Sequence, residues 1–224
     1  RFIEENLAGV RRALGGAAGS PGLAYLERSL AECAEALLEA REGTSRIRHV
    51  VGDLRTFARG QDSEGEQADV KRALESSLGL VVPELRSRAR LNRHLDDVPP
   101  VRGNEARLGQ VFLNLLINAA QAISEGAPGH NQVEVHLREE GAWVVAEIQD
   151  TGHGIPADLL KLIFDPFFST KPVGIGTGLG LSICHGIIPS MGGEIAVEST
   201  VGRGTCFRVK LPKGGAAPEK APAE

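Results

Sequence analysis

Two hydrophobic rhythms divide the chain. From Leu23 onward the apolar or small positions Leu23, Leu26, Leu30, Cys33, Leu37, Ala40, Thr44, Ile47, Val51, Leu54 and Ala58 recur in steps of three and four. That seam predicts a long helix with a coiled-coil-like face, about 36 residues and ~54 Å in length. Ile3, Leu7, Val10 and Leu14 predict a shorter helix with the same stripe, and the glycine-rich run from Gly15 to Gly22 separates the two. Residues 1–60 therefore read as a helical hairpin with unequal arms. The stripe from Ile47 to Ala58 lacks a partner within the hairpin, and an apolar stripe must bury against something. The expectation is that the first helix begins upstream of Arg1 and that a second copy of the chain completes a four-helix bundle. The alternative is that the following domain covers the stripe.

Beyond a polar, glycine-containing linker at 61–67 the rhythm changes. Val70 to about Arg88 predicts a helix that Pro83 must bend or end. Arg90–Leu95 predicts a strand, and Asn104 to about Ser124 a helix with Leu108, Val111, Phe112, Leu115, Leu116, Ala119 and Ile123 on its apolar side. Gln132–Arg138 alternates strictly, Trp143–Ile148 follows after a turn at Gly141, and 157–163 suggests a short helix after Pro156. Gly178 to about Ser190 predicts a helix; Glu194–Glu198 and Thr205–Leu211 predict strands joined by a turn at Gly202-Arg203-Gly204. This defines a second domain over 68–212, with 213–224 expected to be a disordered tail of Gly, Ala, Pro and charge. Helices and strands mix without a βαβ rhythm. The fold class is α+β, an N-terminal hairpin followed by an α/β sandwich with a mixed, mostly antiparallel sheet.

Composition narrows the picture. Hydrophobic residues make up 42% of the 224 and charged residues 24%, the proportions of a globular chain. No run approaches the ~18 apolar residues of a membrane span, so no membrane contact is expected from this chain. A net charge of −4 argues against a nucleic-acid partner. Cys33, Cys184 and Cys206 lie far apart without zinc spacing, which suits a reducing, cytoplasmic compartment. Arg rather than Met stands first, and the expectation is a piece of a longer protein, one that other segments could attach to a membrane. Glycine is abundant at 28 residues, and much of it lies between Gly152 and Gly204.

Four segments carry candidate chemistry. Asn114 and Asn118 lie four apart on one helix face, and an amide oxygen is a hard ligand suited to Mg²⁺ beside phosphates. The same pair is equally ordinary in an amphipathic helix. Asp150-Thr-Gly152-His-Gly154 follows an apolar strand. A carboxylate there can accept from an exocyclic amine such as adenine's, while the glycines let backbone approach a planar ring. An ordinary Asp-Thr-Gly turn reads the same way. Phe164-Asp-Pro-Phe167-Phe168-Ser-Thr170-Lys171 gathers three of the seven phenylalanines, either a plain aromatic cluster or the anchor of a lid. Gly174-Ile-Gly176-Thr177-Gly178-Leu179-Gly180 runs into a helix, where backbone amides favour phosphate. It follows no strand and lacks Gly-Lys-Ser/Thr, so it is neither a dinucleotide fingerprint nor a P-loop.

Taken in order, Asn118, Asp150-x-Gly-x-Gly, Phe-x-Pro-Phe-Phe, the Gly174–Ser182 run and Gly202-Arg-Gly-Thr205 resemble the catalytic, ATP-binding domain of sensor histidine kinases. That domain belongs to the superfamily shared with gyrase, HSP90 and MutL ATPases, and the resemblance is strongest to nitrogen-regulator-type sensors. It implies the Bergerat ATP-binding fold over 68–212, with the hairpin as dimerisation and histidine-phosphotransfer domain. It further implies ATP and Mg²⁺ as cofactors, a homodimer that is itself a phosphoprotein, and a response-regulator receiver domain as partner. Asn118 would ligate Mg²⁺ and Asn114 support the phosphates. Asp150 would bind the adenine amine, Gly152 and Gly154 shape its pocket, and Thr205 sit beside it. Phe164, Phe167 and Phe168 would anchor a lid, with Thr170, Gly174, Gly176, Thr177, Gly178, Leu179 and Gly180 forming the lid and phosphate turn. Lys171 is a candidate γ-phosphate contact, since a cation there can neutralise transferring charge.

Two departures matter. The hydrolysing members carry a Glu four residues before the Mg²⁺ asparagine; Asn114 fills that slot and takes no proton at neutral pH. Gln121 stands where many histidine kinases have Lys or Arg. The acceptor motif of His followed by an acid is absent: His49 precedes Val50 and Val51, so the acceptor is expected upstream of Arg1. A histidine kinase is the leading reading. A hydrolysing ATPase, a Ser/Thr kinase of the same fold and a dimeric scaffold with an inert pocket are the alternatives.

Overall fold

The computed structural model describes residues 30–34, 36–37, 66–126, 128–171 and 177–214. The chain divides into two compact units, Arg1–Gly52 and Asp53–Glu224. In the first, residues 30–34 and 36–37 are α-helical; the remainder of the expected hairpin lies outside the described residues. The second unit runs β1 (Gln67–Ala68), α1 (Val70–Leu85), β2 (Arg90–Leu95), β3 (Val101–Arg102), α2 (Glu105–Gln121), β4 (Gln132–Glu140), β5 (Trp143–Asp150), α3 (Gly180–Ser190), β6 (Glu194–Thr200) and β7 (Gly204–Pro212).

Local chemistry sets the helix ends. Asp69 caps α1 by accepting the Arg72 N–H at 2.9 Å, and Asn104 caps α2 by accepting the Arg107 N–H at 3.1 Å. Arg72 grips Glu105 through Nε and Nη2, tying the two helix starts together. Pro83 sits in the last turn of α1, which stops at Leu85. Proline offers no N–H and crowds the preceding turn, so the helix ends short of Arg88.

The main sheet has the order β2-β4-β5-β7-β6. β2 and β4 are parallel, because the connection between them crosses over through α2; the other pairs are antiparallel. Alternation sends Val133, Val135 and Leu137 of β4, Val144, Ala146 and Ile148 of β5, and Phe207, Val209 and Leu211 of β7 into one buried layer. The three helices cover that layer with α2 at the centre, contributing Leu108, Val111, Phe112, Leu115 and Leu116. On the other face Glu147 accepts from Arg138 and Arg208, and the Arg138 hydrogen bond leads in holding its carboxyl below the usual range.

Three expectations need correction. The helix over 157–163 does not form; these residues make consecutive turns, with Leu159 N–H bonded to the Pro156 carbonyl and Leu162 N–H to that of Leu159. Those i→i+3 closures, with one i→i+4 bond from Ile163, never propagate into a helix. Gln67 of the linker already pairs with Arg102 in a two-stranded ladder. Lys213 and Gly214 of the tail are tied down, Lys213 bridging to Val101 and Gly214 N–H bonding to Pro100 at 2.7 Å. Residues 215–224 lie outside the described residues. Among the described residues no helix is long and apolar enough to cross a membrane.

Candidate functional site

The pleat of β5 decides where Asp150 goes. Val144, Ala146, Ile148 and Asp150 share the helix-facing side, and Asp150 arrives where α2 has ended. It is only 3% exposed. Its Oδ1 accepts the Gly152 N–H at 2.7 Å, and the Thr205 N–H also donates to the carboxyl. Burial pushes its pKa above the ordinary carboxylate value, against the downward pull of those two donors. No ion pair involves it among the described residues. A carboxylate offers about four acceptor positions, so capacity remains for an incoming amine.

Thr205, 5% exposed, lies beside it on β7. Its hydroxyl is 2.9 Å from Ser199 Oγ, which accepts the Ile155 N–H at 2.7 Å. The loop after β5 is thereby knitted to the β6–β7 hairpin. On its other side the same loop abuts the end of α2: His153 N–H donates to the Ala122 carbonyl at 3.0 Å. A Cβ on Gly152 would overlap that carbonyl, so only glycine permits the approach.

Along α2 the amides divide their work. Asn114 does not line the cavity: its Nδ2 donates to the Gly180 carbonyl at 3.1 Å, bracing the first residue of α3. Asn118 Oδ1 and Gln121 Oε1 both accept from Lys171 Nζ, at 3.0 and 2.6 Å. Burial pushes the Lys171 pKa down, opposed by the charge of Glu84.

The phenylalanine cluster also divides. The Phe164 ring tilts against His185 at 5.2 Å, and Phe168 lines the cavity. Phe167 does not anchor through its ring: its φ is 67° and it is 75% exposed. The left-handed backbone turns the ring outward, and anchoring falls to its N–H, which donates to the Gly178 carbonyl at 2.9 Å. Gly178 has a φ of +66°, and a Cβ there would overlap the Phe167 carbonyl. That glycine is required on both counts.

These elements enclose a cavity of about 830 Å³, within the usual range for small-molecule sites. Asn118, Asp150, Gly154, Phe168, Thr170, Lys171, Thr177, Gly178, Gly180 and Thr205 line it together. Gly152 supports the loop from behind, Leu179 precedes the first turn of α3, and Gly174 and Gly176 lie outside the described residues. Sequence patterning misses the apolar wall of Ile155, Leu159, Ile163 and Phe207, which reads as ordinary core. It also misses Glu84 and Arg88, which line the cavity from the end of α1 and just beyond it. Their four-residue spacing on a polar helix face is the only available signal. Among the described residues no group of three His, Cys, Asp or Glu could hold a metal, and the side chains of Asn118 and Gln121 line the cavity.

The family profile described as "Histidine kinase-, DNA gyrase B-, and HSP90-like ATPase" matches residues 103–215, and the chain belongs to this family. The chain is 37% identical over 189 residues to sensor kinase CckA of Brucella abortus, covering 79% of this chain and 20% of that protein. It is 37% identical over 169 residues to sensor histidine kinase ZraS of Escherichia coli K12, covering 75% of this chain and 35% of that protein. Among solved structures, the mycobacterial sensor histidine kinase MprB superposes with a TM-score of 0.58 at 29% identity, covering 66% of this chain and 97% of that one. The chain thus spans between a fifth and about a third of the length of these two curated relatives.

Proposed function

We propose that this chain is the core of a protein histidine kinase of a two-component system, binding ATP in the cavity between α2, α3 and the 164–171 segment. The observation that carries the reading is that buried Asp150 and cavity-facing Asn118 and Lys171 open onto one pocket. Asp150 accepts the exocyclic amine of adenine, Thr205 closes that end, and the apolar wall of Ile155 and Phe207 takes the ring. The phosphates point toward α2 and the start of α3. Asn118 fits Mg²⁺: its hard oxygen faces the cavity and a cationic ammonium already lies 3.0 Å from it. When bound, that ion neutralises phosphate charge; Lys171 adds a cation from the protein.

In the reaction the neutral nitrogen of a histidine attacks the γ-phosphorus. A P–N bond forms, the bond to the β–γ bridging oxygen breaks, and ADP leaves. The phosphoryl group then passes to an aspartate oxygen of a response regulator. The protein contributes mainly position and electrostatics. Hydrolysis is disfavoured because Asn114 has no basic group to activate water and is engaged with Gly180. In the same reading, residues 1–60 belong to a dimerising hairpin whose acceptor histidine lies upstream of Arg1. Residues 61–67 link it to the catalytic domain, and the protein works in the cytoplasm.

The test is labelling with γ-³²P-ATP and Mg²⁺, comparing this chain with one extended upstream by about 30 residues, some 45 Å of helix. The expected result is acid-labile, base-stable label on the longer chain. Acid-stable label, or phosphate release with no labelled protein, contradicts it.

A further inference from the structure

We infer that Gln121 is a positioning residue that docks Lys171, so that the cation at the phosphate end of the cavity is carried by the segment after Phe168 rather than by α2. For its effect on nucleotide binding this rests on the ATP reading above. Asn118 and Gln121 lie three apart, on one face of α2. The Lys171 ammonium sits on both amide oxygens, at 3.0 and 2.6 Å, and the Gln121 contact is the shorter.

An ammonium has three N–H donors. Two are committed here, and among the described residues the third meets no acceptor, which leaves it for a phosphate oxygen. Asn118 Oδ1 is also the oxygen suited to Mg²⁺, so the ammonium must yield it when that ion binds. Gln121 is then the protein contact that still holds Lys171 in place. The position needs an acceptor: Lys or Arg at 121 would bring two cations together and expel Lys171. The other charged side chains nearby do not substitute for it. Glu84 acts on Lys171 through its charge alone, and Arg88 is turned to the Ile123 carbonyl and to Glu125.

The pairing is tested by hydrogen–deuterium exchange over Phe164–Lys171 in the nucleotide-free chain, for wild type, Gln121→Lys and Gln121→Glu. Losing a charge-assisted hydrogen bond predicts exchange about tenfold faster in Gln121→Lys. Gln121→Glu, which keeps the acceptor and adds an opposite charge, should exchange as slowly as wild type or more slowly. Faster exchange in both variants marks a merely structural amide and overturns the pairing, as does no change in Gln121→Lys. Binding of AMPPNP with Mg²⁺ is measured in parallel. Gln121→Lys should bind more weakly, and the exchange of charges in Gln121→Lys with Lys171→Gln should restore most of the loss. If wild type binds no AMPPNP, the nucleotide reading fails, while the exchange data still decide the pairing.

Discussion

The side-chain amide of Asn114 donates to the carbonyl of Gly180 at 3.1 Å, tying the middle of α2 to the first residue of α3. The contact fixes α3 where its N-terminal turn borders the cavity. Asn114→Ala should lower stability by about 1 kcal/mol, the usual worth of such a bond, in urea unfolding. Asn114→Glu should not create an ATPase, because the side chain points at α3 rather than into the pocket. Steady phosphate release by that variant would contradict the assignment.

Asp150 is held at a cost to stability. Its folded pKa is raised by burial, so the folded state binds its proton more tightly than the unfolded state does. Stability from this group is greatest below the unfolded value of 3.8 and is lost as pH rises through the folded value. Asp150→Asn keeps the acceptor oxygen for the Gly152 N–H and removes the buried charge. The variant should be more stable than wild type at pH 7, with the gap closing toward pH 4. Equal denaturation midpoints at pH 7 would refute this.

Phe167 combines a left-handed backbone with an exposed ring. A non-glycine residue in that conformation costs about 1–2 kcal/mol, and the exposed ring recovers little by burial. Phe167→Gly should therefore leave stability unchanged or improve it by up to about 1 kcal/mol, after allowing for glycine's larger unfolded-state entropy. A fall of several degrees in Tm would mean that the ring is packed.

Asn118 supplies one of the two cavity-facing amide oxygens on α2 that the ammonium of Lys171 contacts, at 3.0 Å. Titration of wild type with AMPPNP should show tighter binding with Mg²⁺ than with EDTA. In Asn118→Ala that difference should largely disappear, while the EDTA value stays close to wild type. A preserved Mg²⁺ effect would place the ion elsewhere.

The sheet and the helices are legible because their patterns are long. Arg90–Leu95 emerges with the predicted bounds, and alternation through Val133, Val135 and Leu137 fixes which side of β4 is buried. Asp150 is legible for the same reason, as the pleat that buries Ile148 carries it to the same face. Gln67–Ala68 and Val101–Arg102 are too short to show a period. The turns at 157–163 contain helix-forming residues, and the segment packs Leu160 and Ile163 against the core without forming a helix, a tertiary outcome that local propensity does not reveal. The outward turn of Phe167 depends on a backbone dihedral that composition does not reveal. Lys171 is singled out by charge, but its seat on Asn118 and Gln121 is a long-range pairing that only the folded chain brings about.

The most direct test of the account is calorimetric titration of the chain with ATP and with GTP in Mg²⁺, repeated on Asp150→Asn. Adenine presents an amine donor where guanine presents a carbonyl acceptor, and the Asp150 carboxyl can only accept from the first. ATP should bind saturably and GTP more weakly by at least about tenfold, as expected when a buried polar group loses its partner, and the folded variant should lose ATP binding. Equal affinities for the two nucleotides, or ATP affinity unchanged by Asp150→Asn, would contradict it.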